Sequence, residues 1–267
     1  MNTVIEIIDA STAKKYLEAN KCNRPIKTRL VAQYASDMAA GNWGFTHQGI
    51  AFSPDGTLLD GQHRLEAIVA SNSKIKSVVT RGVDASVQLV MDDHAKRTAG
   101  DALSLVRGEK ITARYIAAIR AAIELTSRRA KSAPVLSKQE LNNVFDTFKP
   151  AVDFVLDKMQ SNERGTTSAP VVGAIVLSWF YVEDLDRLES FCEILCGSLP
   201  EGEDDKAAKV LREYLLKTGM QASAQRQDGF MKTQRAIVAF INKEKISRIH
   251  ATEFFFKWPL QNPVRTS

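Results

Sequence analysis

The sequence predicts an α+β protein, with a small mixed domain at residues 1–108 followed by an all-α helical domain at 109–267. Three observations lead there. Short apolar runs of strand character (49–53, 57–59 and 76–82) all lie in the first domain. Beyond Gly108 the apolar residues recur at helical spacing and strand signals fade. Between the first two strand runs stands Pro54-Asp55-Gly56, a turn signal that makes them a hairpin.

In chain order, Ser11 is placed to cap a short helix at 12–19, and a polar, basic loop follows at 20–27. Leu30, Val31, Tyr34, Ala35 and Met38 recur at helical spacing over 28–40, and Gly41 stops the run. The hairpin comes next, then a helix at 62–70 and the strand at 76–82. Asp84 is expected to cap a helix ending near Met91, and a polar loop, 92–98, leads to a helix at 99–106. The second domain reads as helices at 111–129, 138–148, 151–159, 169–181, 185–196, 206–217 and 229–249. Ser137 with Glu140 three positions later has the form of a capping box.

Composition is that of an ordinary globular chain, with 44% apolar and 25% charged residues. No run approaches the ~18 apolar residues of a membrane span, and residues 1–10 lack the pattern of a secretory signal. Three cysteines make a disulfide framework improbable, and Cys192 and Cys196, four apart on an apolar helical stretch, read as packing. A reducing, cytoplasmic setting and no membrane partner are the expectation. The net charge of +5 is unevenly spread. Seven bases face two acids between Arg107 and Lys131, nine acids face one base over 183–205, and twelve bases face four acids from Lys206 onward. The two basic stretches could attract DNA, or they could be solvated helix faces.

The densest chemistry lies at Asp60-Gly61-Gln62-His63-Arg64, between an apolar strand and an apolar helix. A strand that enters a helix through glycine converges free backbone N–H groups and the helix dipole, which favours phosphate. Asp60 adds a carboxylate, His63 a titratable ring and Arg64 a planar cation suited to bidentate anion binding. The alternative is a salt-bridge cluster that fixes the junction, with Asp60 as a helix cap. Asp92, Asp93 and His94 are similarly open, as metal ligands or as surface charge. Trp43 and Phe45 are core by default, and 254–259 reads as a tail docking on the helical domain.

Residues 61–67, Gly-Gln-His-Arg-Leu-Glu-Ala, resemble the G-E-R-R-x-x-A box of the ParB N-terminal domain in the ParB/sulfiredoxin superfamily. The preceding Gly41-Asn42-Trp43 and hairpin are similar too, and Asp93 to Arg97 falls where ParB carries an E-N-x-x-R box. Asn23-Arg24-Pro25 weakly echoes that family's early basic box. The spelling Asp-Gly-Gln-His-Arg resembles the D-G-Q-H-R branch, which includes a regulator of DNA phosphorothioation, and the D-G-H-H-R free-serine kinases. The likeness covers about residues 20–105.

The resemblance implies a site for a nucleoside triphosphate (ATP or CTP) with Mg²⁺, and phosphoryl transfer or hydrolysis there. By carry-over, Gly61, Gln62, His63, Arg64 and Arg97 would bind the nucleotide, Asp92 and Asp93 the Mg²⁺, and Asp60 with His63 would be catalytic. Gln62 stands where sulfiredoxins carry cysteine, which argues against sulfinic-acid reduction. His94 replaces the asparagine of the ParB box, which argues against ParB-type CTP hydrolysis. A DNA-binding module, a ParB-like nuclease without nucleotide turnover and a phage or host-defence regulator acting through protein partners are the alternatives.

Overall fold

The computed structural model describes all residues except 22, 24, 85, 87–97, 127–135, 161, 162, 164, 201, 251, 252, 262, 266 and 267. The chain is α+β and divides into two compact units, Met1–Lys96 with Ala130–Glu140 and Arg97–Arg129 with Leu141–Ser267. Relative to a boundary at 108, the helix at 99–107 groups with the helical unit, and 130–140 groups with the first.

The first unit is built on a four-stranded sheet of order β1-β4-β2-β3. Its strands are β1 (Asn2–Ile8), β2 (Ile50–Phe52), β3 (Leu58–Asp60) and β4 (Ile75–Arg81). β1 runs antiparallel to β4, β4 parallel to β2, and β2 antiparallel to β3. β1 was not anticipated: its run Val4-Ile5-Glu6-Ile7-Ile8 lacks clean alternation, and Ile5 and Ile7 are exposed. Its partner β4 lies some seventy residues on, with Asn2 opposite Arg81. Glu6, Tyr16 and Arg81 fasten that pairing. Arg81 donates to Glu6 at 2.6 Å and to the Tyr16 hydroxyl at 2.7 Å, and the same hydroxyl donates to Glu6.

Helices α1 (Ala10–Glu18), α2 (Thr28–Ala39) and α3 (Gln62–Ser71) cover one face of the sheet. The core between them holds Ile8, Ile50, Phe52, Leu58, Leu65, Ile68 and Val79. Asp9, not Ser11, caps α1. Its carboxylate accepts the Thr12 N–H at 2.9 Å, and the Ser11 hydroxyl only supports it at 3.0 Å. Trp43 packs on this core edge-to-face with Tyr34, whereas Phe45 is about half exposed beneath Lys76. The Pro-Asp-Gly turn forms as expected, with the Gly56 N–H donating to the Ser53 carbonyl at 3.1 Å and Gly56 at φ +82°.

The helical unit contains α4 (Ala99–Arg107), α5 (Ala113–Glu124), α6 (Lys138–Lys158, whose first three residues count with the first unit), α7 (Ala169–Ser178), α8 (Leu185–Leu195), α9 (Lys206–Lys217) and α10 (Ser223–Ile241). The expected break at Pro150 is absent: α6 runs through it. The buried stripe Leu141, Phe145, Phe148, Val152 and Val155 continues on both sides, and its packing outweighs the one lost hydrogen bond. α10 starts six residues earlier than the periodicity suggests and ends at Ile241, eight residues sooner. The Ser137–Glu140 capping box is present in both directions, at 2.8 and 3.1 Å. Cys192 is fully buried, its thiol pushed up by burial, so it packs and does not react. Cys22 and the helix expected up to Met91 lie outside the described residues, apart from Asp84, whose carboxylate accepts the Ser86 N–H.

Candidate functional site

The junction of β3 and α3 is shaped by its register. Ala51 pairs with Asp60 and Phe52 with Leu58, so β3 carries one extra residue, Leu59. Such a bulge re-aims the side chains beyond it. Leu58 enters the main core, Leu59 joins Ala51 and Val83 in a second cluster, and Asp60 emerges partly exposed. The chain then turns at Gly61, at φ +106°, where a Cβ would lie 2.9 Å from Ile50 Cγ1. Only glycine suits both that dihedral and that approach.

α3 begins at once, and its cap residue is Gly61, which has no side chain to bond the first turn. The Gly61 N–H donates back to Asp60 Oδ1 at 2.6 Å. Arg64, one turn on, donates from Nη2 to Asp60 Oδ2 at 2.7 Å and to the Gly49 carbonyl. The Asp60 side chain is 41% exposed and the Arg64 side chain 16%. The ion pair therefore presents its carboxylate outward and buries its cation. Arg64 Nε is buried and has no hydrogen-bond partner among the described residues. Gly49 is bound to its place as well, since a Cβ there would stand 2.0 Å from the Val78 carbonyl oxygen.

His63 and Gln62 face the protein. Both are 5% exposed. His63 Nε2 accepts the Lys27 backbone N–H at 3.0 Å, which requires that nitrogen to be unprotonated. Gln62 Oε1 accepts from Asn20 Nδ2 at 3.2 Å, and Asn23 Nδ2 donates to Asn20 Oδ1 and to the Leu58 carbonyl. These bonds hold the connection between α1 and α2 against the start of α3. No spacing signal pointed to Asn20, Asn23 or Lys27 as partners of this site, because the contacts span some 35 to 42 residues.

The structure thus brings Asp60, Gly61, Gln62, His63 and Arg64 together at one junction, with Asp60 on its solvent side and Arg64 largely buried behind it. Asp92, Asp93, His94 and Arg97 lie outside the described residues. Among the described residues no three His, Cys, Asp or Glu side chains gather as a metal site.

The basic stretch from Arg107 to Lys131 is in part internal wiring. Arg107 makes a forked bond to Asp146 at 2.5 and 3.1 Å, donates to the Asn142 carbonyl and lies 4.3 Å from the Phe145 ring centroid. Arg114 donates to the Met159 carbonyl at 2.6 Å. Within the acidic stretch, Asp205 pairs with Arg187 and Glu189 with Lys158. The C-terminal aromatics dock on the helical unit as expected: Phe254 meets Phe230, Phe256 meets Tyr181, and Trp258 meets Phe148. No described helix is long and apolar enough to cross a membrane. In comparisons with known proteins, no family model, curated protein or solved structure matches the chain.

Proposed function

We propose that the first unit binds the phosphates of a nucleotide at the β3–α3 junction and acts on them. The observation that carries the reading is one arrangement: a helix start entered through a left-handed glycine, with a guanidinium at its third residue whose buried Nε–H has no hydrogen-bond partner among the described residues. The positive end of a helix dipole and a planar cation beside it are what a phosphate selects. The resemblance to the ParB/sulfiredoxin superfamily points the same way and supplies the nucleotide class, ATP or CTP.

In this reading Arg64 holds phosphate oxygens, and Gly61, packed against Ile50, gives the backbone the turn that starts the helix there. Asp60, partly exposed beside Arg64, orients the acceptor and takes its proton. His63 acts by position, since its Nε2 holds the Lys27 backbone. The nucleotide supplies the phosphoryl group. A Mg²⁺ ion held by Asp92 and Asp93, with Arg97 as a second cation, would complete the family pattern. A cytoplasmic setting fits a nucleotide-dependent activity. The DNA-binding reading rests on the basic stretches, where Arg107 and Arg114 already bond within the protein, and the nuclease reading rests on the resemblance, with Asp60, His63 and Asp93 around a metal.

The test is a thermal-shift titration with ATP, ADP, CTP and GTP, with and without Mg²⁺, on the wild type and Arg64→Ala. Ligand at about a hundred times its Kd stabilises by about 2.7 kcal/mol, or roughly 5–10 °C for a chain of this size. A shift with one nucleotide that is lost in Arg64→Ala is the expected result. The absence of any shift would return the Asp60–Arg64 pair to a purely structural role. Asp60→Asn separates chemistry from binding: it is expected to bind the nucleotide and lose turnover.

A further inference from the structure

We propose that Asp60 is a built-in competitor for Arg64, so that an anion gains the Nη2 arm of the guanidinium only by taking it from the carboxylate. The inference rests on the phosphate-binding reading above and concerns how that site is regulated. A phosphate is gripped best by two N–H groups of a guanidinium fork. Here the Nη2 of that fork is already divided between Asp60 Oδ2 and the Gly49 carbonyl, while Nε has no partner among the described residues. Asp60 also lies on the solvent side of the pair, 41% exposed against 16%, so an approaching anion meets a negative charge first.

The two contacts of Asp60 differ in kind. Oδ1 is tethered by the Gly61 N–H at 2.6 Å, which places the carboxylate without involving Arg64. Oδ2 has Arg64 as its ionic partner among the described residues. An anion can therefore displace the Oδ2 contact while the tether holds, with no change in the backbone. The same exchange leaves Oδ2 without its cation and able to accept a hydrogen bond from an acceptor hydroxyl. Occupancy of the site and availability of the carboxylate are in this way one event. An ion pair of this exposure is worth up to about 1 kcal/mol. Its removal is expected to tighten anion binding about fivefold.

Calorimetric titration of the full chain with inorganic tripolyphosphate, at one fixed ionic strength, tests this. Asp60→Asn and Asp60→Ala should both bind about fivefold more tightly than the wild type, and Arg64→Ala should not bind. Should Arg64→Ala fail to fold, Arg64→Lys keeps the charge without the fork and carries the same expected loss. Loss of binding in the Arg64 variant with equal or weaker binding in both Asp60 variants overturns the competitor and leaves the phosphate site standing. Binding that persists without Arg64, or that is absent from every form, overturns the phosphate site and the competitor together.

Discussion

Gln234 and Phe256 are joined in both directions: the Gln234 amide nitrogen donates to the Phe256 carbonyl at 2.8 Å, and its oxygen accepts the Phe256 N–H at 3.1 Å. The same oxygen accepts the Phe255 N–H at 2.9 Å. Gln234 is fully buried on α10, so one side chain replaces the strand partner that this stretch of tail lacks.

Gln234→Ala should therefore be costly. It strands three backbone groups, two of them on a buried residue, and the expected loss is about 2–4 kcal/mol. The urea midpoint of the full chain measures it. A loss below about 1 kcal/mol would mean that the aromatic contacts alone hold the tail.

Two glycines of one loop should behave oppositely. Gly49→Ala drives a Cβ to 2.0 Å from the Val78 carbonyl oxygen, which is backbone and cannot step aside. A loss of more than about 3 kcal/mol is expected, together with displacement of the carbonyl that receives Arg64. Gly44 has nothing within 4 Å of its ideal Cβ, and Gly44→Ala should change stability by less than about 1 kcal/mol. Equal melting curves for the two variants would refute the close approach.

Pro150 is exposed inside α6. Because the helix already runs through it, Pro150→Ala restores a backbone donor without removing buried surface. A gain of about 1–3 kcal/mol in stability is expected. An unchanged or lower denaturation midpoint would show that the proline ring makes a contact the helix needs.

Part of the acid sensitivity should be traceable to two carboxylates. The backbone N–H of Thr12, with the Thr12 and Ser11 side chains, holds Asp9 down at about 2. The hydroxyls of Ser53 and Thr57 hold Asp55 down to the same level. Both are lowered from an unfolded value of about 3.9. Their stabilisation is thus fully present above about pH 4 and is lost as pH falls through about 2. Replacing both by asparagine should flatten that part of the stability profile between pH 5 and 2. A double variant with the wild-type acid profile would contradict the assignment.

How far the molecule could be read in advance follows the range of each interaction. The hairpin turn, the start of α3 at Gln62 and the Ser137–Glu140 box depend on residues within four positions of one another, and all were legible. α9 runs from Lys206 to Lys217 as its periodicity indicates. β1 was missed because a strand with exposed Ile5 and Ile7 has no clean period of two, and its partner is remote. Pro150 was misread because a local penalty of about 3 kcal/mol looks decisive until a long buried stripe is weighed against it. At the candidate site the residue types were visible, but their allegiances were not.

By itself the chain determined the α+β class, the strand–glycine–helix junction and the identity of the groups that meet there. Each is written in dihedral preference, turn chemistry and hydrophobic period, which act over a few residues. Only the tertiary structure decided that Arg64 serves both Asp60 and the Gly49 carbonyl, that His63 turns inward to Lys27, and that the tail is held by Gln234. Three of these contacts span from 15 to 36 residues, and even the near one, Asp60 to Arg64, depends on a bulge set by pairing with β2. Such partners are chosen by packing and by the need to satisfy buried polar groups, and no local pattern encodes which distant atom will do so.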